Sequence, residues 1–515
     1  MQNTWLVLLP TIILLVMAVV TKDVIKSLMT GILAAALVVS DFNIINTIKL
    51  ASYRLFEQTE ILNVINRTGH YDNLYTFAFL IILGIIITII THTGAMAAYT
   101  CAIQKRIKTI KSTETASLML SSCFFMDDYL NTLTVGSIMR PLTDAFKIAR
   151  VKLAFLLDSM SSALALLIPA SSWTAIILSQ LQSVNIEDTL GVYLKTIPYI
   201  FYAWFIIFSA VFVVRASLSF GKMKQHEDIA LQTGNLFGNK PTLEATSYTT
   251  PKECSLIDFF IPISLFMFSV ITAFLYTGSW RIFGGSNSFL QSLQKGDPFI
   301  ALFSASALTL IVSIIYFAAK KKLNFEELKY VSVHGFNLMK SSIVLLLLAK
   351  TMSVLLKSDL QTGQYLASIL IGSVPIWVFP LIFFIASSLV AMSTGSSWGT
   401  IGIMIPIAIP TIAQFSAALF NPVLGGVLSG SVAGAHLSPI SDPMLISSTS
   451  SGSYHLDHVQ TQMSYASSAM IGASVSYIVC GLVLQLPYWI NIIVSWLTGI
   501  FVTTALLYLR NRIKK

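Results

Sequence analysis

Residues 159–171 read SMSSALALLIPAS, and residues 429–441 read SGSVAGAHLSPIS. Aligned without a gap, they agree at Ser159/Ser429, Ser161/Ser431, Ala163/Ala433, Ala165/Ala435, Pro169/Pro439 and Ser171/Ser441. Upstream of each lies a second pair, MDDYLNTLTVGSIMRP (126–141) and MSTGSSWGTIGIMIP (392–406), alike with one deletion. Both pairs are offset by about 265–270 residues, half the chain, which marks an internal repeat. Polar, proline-broken segments at equivalent places in two halves of an apolar chain point to a transporter whose site lies where the repeats meet.

The chain of 515 residues is 55% hydrophobic and 11% charged, against about 25% charged in a soluble protein. Phe77–Ile90, Phe299–Ala319, Ile376–Val390 and Met463–Pro487 carry no charge over most of a bilayer's width. The expected fold is therefore an all-α polytopic membrane protein whose main partner is the lipid bilayer. Trp5–Val20 has no basic residue before it and no small-residue cleavage site after it, so it reads as a retained span. The net charge of +9 comes from Lys and Arg in short clusters between apolar runs. This is the positive-inside pattern and gives no sign of nucleic-acid binding. Cys101, Cys123, Cys254 and Cys480 lack metal-type spacing. No P-loop lysine motif is present, which excludes an ATP-driven domain of that type.

The basic clusters at Lys22 and Lys26, Lys105 to Lys111, Arg140 to Lys152, Arg215 to Lys224, Lys320 to Lys322 and Arg510 to Lys515 fix the sides of the chain. With all of them cytoplasmic, the apolar stretch 115–139 must enter and leave on one side. It is too short for two crossings of about 20 residues each, so it is expected to be a re-entrant hairpin with Asp127–Thr132 at its tip. Residues 153–181, interrupted at Pro169-Ala-Ser-Ser-Trp173, read as a broken span. The second half repeats the plan inverted, with a hairpin over 367–420, its tip at Ser393–Thr400, and a broken span over 422–450 interrupted at Ser438–Pro443. His455 and His458 fall in an inside loop. The domain plan is a first inverted repeat (1–216), a polar cytoplasmic linker (217–256), a second inverted repeat (257–485) and an extra span with a basic tail (486–515). This amounts to about eleven spans, with the N-terminus outside and the C-terminus inside.

Aspartates within apolar segments are the sharpest functional signal, because one at mid-bilayer costs about 2.5–3.5 kcal/mol even on a lenient scale. Asp127, Asp128, Asp158 and Asp442 all sit in or beside a tip or a break. The competing role for such residues is helix capping. Asn131, Thr132, Ser171, Ser172, Ser393, Thr394, Ser396, Ser397 and Ser441 cluster where helices must unwind. Hydroxyls and freed carbonyls suit a hard cation such as Na⁺, whereas half-helix N-termini suit a carboxylate. Asp128 and Asp442 are the expected Na⁺ ligands. Proton coupling is assigned to these two with Asp158 and His436, the last because histidine titrates near neutral pH.

Other features read as structural. Ser159, Ser161, Ser429 and Ser431 suit close helix packing, as do Gly425, Gly426, Gly430 and Gly434. Trp173 and Trp398, each after Ser-Ser, read as packing residues. Ser431 lies five residues before His436, which raises an intramembrane serine hydrolase. Five helical residues set the two side chains more than about 100° apart, a poor nucleophile–base geometry. A Na⁺- or H⁺-coupled carrier of a small carboxylate or amino acid stays open, with Lys340 and Lys350 as sources of positive charge.

Met126-Asp-Asp-Tyr-Leu-Asn-Thr132, Pro169-Ala-Ser-Ser-Trp173, Ser393-Thr-Gly-Ser-Ser-Trp-Gly-Thr400 and Gly434-Ala-His-Leu-Ser-Pro-Ile-Ser-Asp442 together resemble the NhaC-type sodium/proton antiporter family, part of the larger ion-transporter superfamily. The resemblance covers roughly residues 74–480. It implies secondary active transport of H⁺ against Na⁺, with no resident cofactor, by an elevator-like scaffold and transport domain. It also implies a homodimer and a bacterial cytoplasmic membrane. Relatives in the superfamily exchange organic anions or amino acids, so the cargo is a small inorganic cation or a small organic solute.

Overall fold

The computed structural model describes residues 5–21, 23–66, 71–94, 107–241, 255–370 and 373–513. Lys22, Lys105, Arg106, Lys514, Lys515, Cys101, Cys254 and the linker residues 242–254 lie outside these. The described residues are helical and contain no β-strand. The first half comprises α1 (Leu9–Thr21), α2 (Val24–Val39), α3 (Ile44–Glu57), α4 (Ile61–Asn66), α5 (Asp72–His92), α6 (Ile110–Cys123), α7 (Asp128–Ala145), α8 (Arg150–Leu167), α9 (Ser172–Ser183), α10 (Thr189–Thr196), α11 (Phe201–Ala216) and α12 (Gly221–Thr233). The second comprises α13 (Leu256–Thr277), α14 (Phe289–Lys295), α15 (Pro298–Ala319), α16 (Phe325–Val354), α17 (Thr362–Leu370), α18 (Phe379–Thr394), α19 (Ser397–Ile412), α20 (Phe420–Ala435), α21 (Asp442–Ser451), α22 (His455–Leu482) and α23 (Tyr488–Ile513).

Among the described residues, nine helices are long and apolar enough to cross a bilayer, or ten if the bent pair α8–α9 is one span. Two of the eleven expected spans, α1 and α2, have only 13 and 16 residues. At 1.5 Å per residue that is about 20–24 Å of helix, short of the roughly 30 Å hydrocarbon core. The span expected over 194–214 begins instead at Phe201, because Pro198 sits in a 3₁₀ turn that ends α10.

Each copy of the repeated motif folds as a back-folded helix pair followed by a broken pair. In the first copy, α6 and α7 turn at Phe124–Asp127, and α8 and α9 bend by 46° around Pro169. The arms are longer than 115–139, because a capping box between Thr109 and Ser112 starts α6 early. In the second copy, α18 and α19 turn at Gly395, and α20 and α21 are separated by residues 436–441. Thr362–Leu370 forms a helix of its own, so this pair is shorter than 367–420. Gly395 has φ +69°, the left-handed region that ends a helix at small cost only for glycine.

Glycines on one face of α20 bring it into backbone contact with α18. A Cβ on Gly426 would lie 2.7 Å from the Pro380 carbonyl oxygen. Cβ atoms on Gly430 and Gly434 would press still closer on the Phe384 and Ser388 carbonyls. The four-residue spacing keeps all three on one stripe.

The described start of the 217–256 linker packs on the helices: α12 buries Met223, His226 and Ala230, spaced along one helix face. Its Glu227 accepts a hydrogen bond from the buried Lys152 at 2.8 Å. His455 and His458 are not in a loop. They form the first turn of α22, and His458 is fully buried.

Candidate functional site

Four helices begin at the breaks, and their N-termini converge. Asp127 caps α7, accepting from Leu130 N at 3.0 Å. Ser171 caps α9 in a reciprocal box with Thr174. Ser396 caps α19, accepting from Gly399 N at 3.1 Å. Ser441 occupies the cap position of α21, with Pro443 in the first turn. Contacts then join the four in a ring. Ser172 Oγ donates to Asp127 Oδ2 at 2.8 Å, and Trp173 meets Trp398 edge-on with ring centroids 6.0 Å apart. Asp442 N donates to Gly395 O at 3.3 Å, and Tyr129 OH donates to Asp442 Oδ2 at 3.0 Å.

One cavity of about 580 Å³ opens against this ring, lined by Asp127, Asp128, Thr394, Ser396, Ser397 and Asp442 from the expected set. Asp23, Tyr129, Ser341 and Ser342 also line it. Asp23 is the cap of α2 and pairs with Lys26 at 3.1 Å. The Asp128 carboxylate is divided. Ser162 Oγ donates to Oδ2 at 3.2 Å, while Oδ1 is buried with no hydrogen-bond partner. Asp128 and Asp442 each stand in the first turn of their helices, α7 and α21. The N-terminus of α19 carries no acid in its first turn.

The other expected residues lie behind the cavity wall. Asn131 ties the two arms of the first hairpin, its Nδ2 donating to Ser121 O at 2.8 Å. Thr132 and Ser393 donate to carbonyls of their own helices, at Asp128 and Leu389. Ser171 donates to Ala165 O at 2.5 Å across the break. Ser441 is buried, and its hydroxyl has no partner. Asp158 and His436 lie deeper and are fully buried, with His436 Nδ1 paired to Tyr202 OH at 3.0 Å. Asp23 and Tyr129 are not among the site residues expected from the sequence, and His458 was expected only in a loop. Tyr129 stands inside the quoted motif and Asp23 follows an apolar run, so both carried a signal. His458 carried only its residue type.

Lys350 does not reach the cavity lining. It is buried against Asn73 and Gln182, between α5, α9 and α16. Lys340 is exposed. The hydrolase geometry is absent: Ser431 Oγ donates to Leu428 O at 2.7 Å, and His436 is engaged by Tyr202.

Residues 164–482 match the family model described as the Na⁺/H⁺ antiporter family. A protein of Haemophilus influenzae, itself described as uncharacterized, is 30% identical over 489 residues, covering 93% of this chain and 91% of its own. The malate-2H⁺/Na⁺-lactate antiporter of Bacillus subtilis is 31% identical over 109 residues, covering 20% of this chain and 23% of its own. Among solved structures, the YdaH transporter of Alcanivorax borkumensis superposes with a TM-score of 0.54 at 14% identity, covering 84% of this chain and 90% of its own. At that identity the likeness is one of fold. The protein is an integral membrane secondary transporter and not an enzyme.

Proposed function

Because this chain belongs to the Na⁺/H⁺ antiporter family, we propose that it exchanges Na⁺ for H⁺ at the cavity where the four helix N-termini meet. The observation that carries this reading is the Asp128 Oδ1 atom, buried in the cavity wall without a well-formed hydrogen bond, the Trp173 indole being at most a weak donor to the carboxylate. A buried carboxylate oxygen without a partner is costly. Either a proton or a small hard cation relieves that cost, and the two compete for one atom. Competition at a site exposed alternately to each side gives exchange. Asp442 and the hydroxyls of Thr394, Ser396 and Ser397 complete an oxygen-rich shell of the kind hard cations take. Asp127, held by Leu130 N and Ser172, positions the start of α7.

The remaining parts of the reading rest on loop charge and family likeness. The N-terminus lies outside and the C-terminus inside a bacterial cytoplasmic membrane, the ring-bearing elements move elevator-fashion, and the unit is a homodimer. Na⁺ and H⁺ are cargo, and no cofactor is required.

A second reading has its own support. The cavity is much larger than a bare Na⁺, and the α19 N-terminus offers backbone donors with no acid to occupy them. That suits a small carboxylate carried with Na⁺ or H⁺, the kind of cargo named for the Bacillus subtilis relative. Proteoliposomes holding a pH gradient decide between the readings. Proton movement triggered by Na⁺ or Li⁺ alone, and lost in Asp128→Asn and Asp442→Asn, supports exchange. Movement only when malate, lactate or an amino acid is added supports the carrier. Wild-type exchange in Asp128→Asn rejects the assigned site.

A further inference from the structure

Beyond the cavity, a polar seam runs between α8 and α22. His458 and Gln462, four residues apart, share one face of α22. They meet Asp158 and Ser159 of α8: His458 Nε2 lies 3.9 Å from Asp158 Oδ2, and Gln462 Nε2 donates to Ser159 Oγ at 3.3 Å. All four residues are fully buried. Neither carboxylate oxygen of Asp158 has a hydrogen-bond partner. A charged, undonated carboxylate in such a place is strongly disfavoured, and a single proton held between Asp158 and His458 removes the cost.

Further polar side chains flank the pair on both sides. Towards the cavity, Ser162 lies one turn along α8 from Asp158 and donates to Asp128 Oδ2. Away from it, His458 Nε2 is also 2.8 Å from Ser447 Oγ on α21. The adjacent Ser448 Oγ is 3.2 Å from His455 Nδ1. His455 is half-buried, with Nε2 donating to Pro439 O at 2.6 Å.

We infer that Asp158 and His458 form a proton relay linking the cavity carboxylate Asp128 to His455 on the far side of the seam. This rests on the exchange reading above and adds to it a route for the proton separate from the route of the cation. When a cation takes Asp128, the released proton passes to Asp158 by rotation of the Ser162 hydroxyl away from Asp128, and on to His458 Nε2 as the 3.9 Å gap between the two closes. From there it crosses from Ser447 to the neighbouring Ser448, reaches half-buried His455 and leaves to solvent, so the relay returns to its starting state after each turnover. Other charged or titratable groups around His458 come from each packed element. His436 ends α20 and is bonded to Tyr202 of α11. Arg140 and Arg150 crowd Gly452 just beyond α21, Arg150 being paired to Asp144 at 2.6 Å. Asp457 is paired to Lys240 at 2.7 Å.

The experiment compares two readouts in proteoliposomes, Na⁺/Na⁺ counterflow and Na⁺-driven proton movement, from pH 5.5 to 9. Wild type sets the reference: if it moves no protons with Na⁺, the exchange reading fails and not the relay alone. His458→Gln keeps bulk and polarity without a titrating ring. Counterflow within about twofold of wild type, with proton movement slowed at least about tenfold and its pH profile flattened, supports the relay. A wild-type pH profile overturns it. Should His458→Gln lose counterflow as well, Ser447→Ala decides, since it keeps the imidazole and its packing. Slowed proton movement in that variant supports the relay, and an unchanged profile overturns it.

Discussion

Alanine placed along the α18–α20 seam tests how tightly the second hairpin is fixed to the broken span beside it. Two effects oppose each other. Glycine to alanine in a helix interior gains about 1 kcal/mol. Forcing a methyl into a filled contact costs about 1–3 kcal/mol. At Gly426 the new Cβ would stand 2.7 Å from the Pro380 oxygen, with its next neighbour, Phe384 N, at 3.4 Å. One carbonyl must then give by about 0.8 Å to restore contact at about 3.5 Å. At Gly430 the methyl meets the Phe384 oxygen, Ser387 Cβ at 2.7 Å and Ser388 N at 3.0 Å. At Gly434 it meets the Ser388 oxygen, Ala391 Cβ at 2.7 Å and Met392 N at 2.8 Å. These obstacles are mostly backbone of α18, which cannot swing aside as a side chain does. The expected net change is therefore near zero for Gly426→Ala and a loss of about 1–2 kcal/mol for Gly430→Ala and Gly434→Ala. For a chain of this length that is a fall of about 1–2 °C in the apparent unfolding temperature in detergent. Transport should fall in the same order, because α18 carries the Gly395 turn. A rise in unfolding temperature for Gly434→Ala, or the reverse order across the three, would show that the seam is slack and refute the reasoning.

Ser172→Ala removes the hydroxyl that donates to Asp127 at 2.8 Å. It should destabilise the protein by about 1.5–3 kcal/mol, while Ser393→Ala, whose hydroxyl serves its own helix at Leu389, should change little in the same thermal assay. Lys152→Met leaves Glu227 without its 2.8 Å partner and should release α12, seen as faster trypsin cleavage within 221–240, with about 3–5 kcal/mol lost. Asp258 is buried beneath Lys320 and Lys322. Burial alone would raise its pKa, but hydrogen bonds from both lysines and Tyr316 outweigh this and hold it at about 2. A depressed carboxylate stabilises the fold above its unfolded value of about 3.9, and the gain is lost as pH falls towards 2. Asp258→Asn should therefore unfold at lower temperature than wild type at pH 6, with the gap closing between pH 4 and pH 2. A constant gap would assign the loss to packing instead.

The breaks were legible in the sequence because they are chemically conspicuous: Pro169, Pro439 and Gly395 interrupt apolar runs that would otherwise stay helical. The acids were legible because an aspartate in such a run needs a reason. Which hydroxyls face the cavity was not, since serine and threonine in an apolar helix commonly bond back one turn, as Thr132 and Ser393 do. His458 was hidden because the polar stretch Ser450–Asp457 reads as a loop, and only the packing of α22 on α8 buries it. The docking of α12 was hidden for the same reason, since three buried positions among thirteen give little periodicity. The short lengths of α1 and α2 were not legible, because composition shows apolarity more clearly than helix length.

The edge-on pair of Trp173 and Trp398 has a practical consequence. One indole comes from each copy of the motif, and their centroids are 6.0 Å apart. At that range two indoles couple electronically, so their ultraviolet circular dichroism and emission report the gap between the two copies. The protein thus carries its own optical gauge. A cation that reshapes the ring will register as a spectral change without any label, and replacing either tryptophan with phenylalanine will silence it.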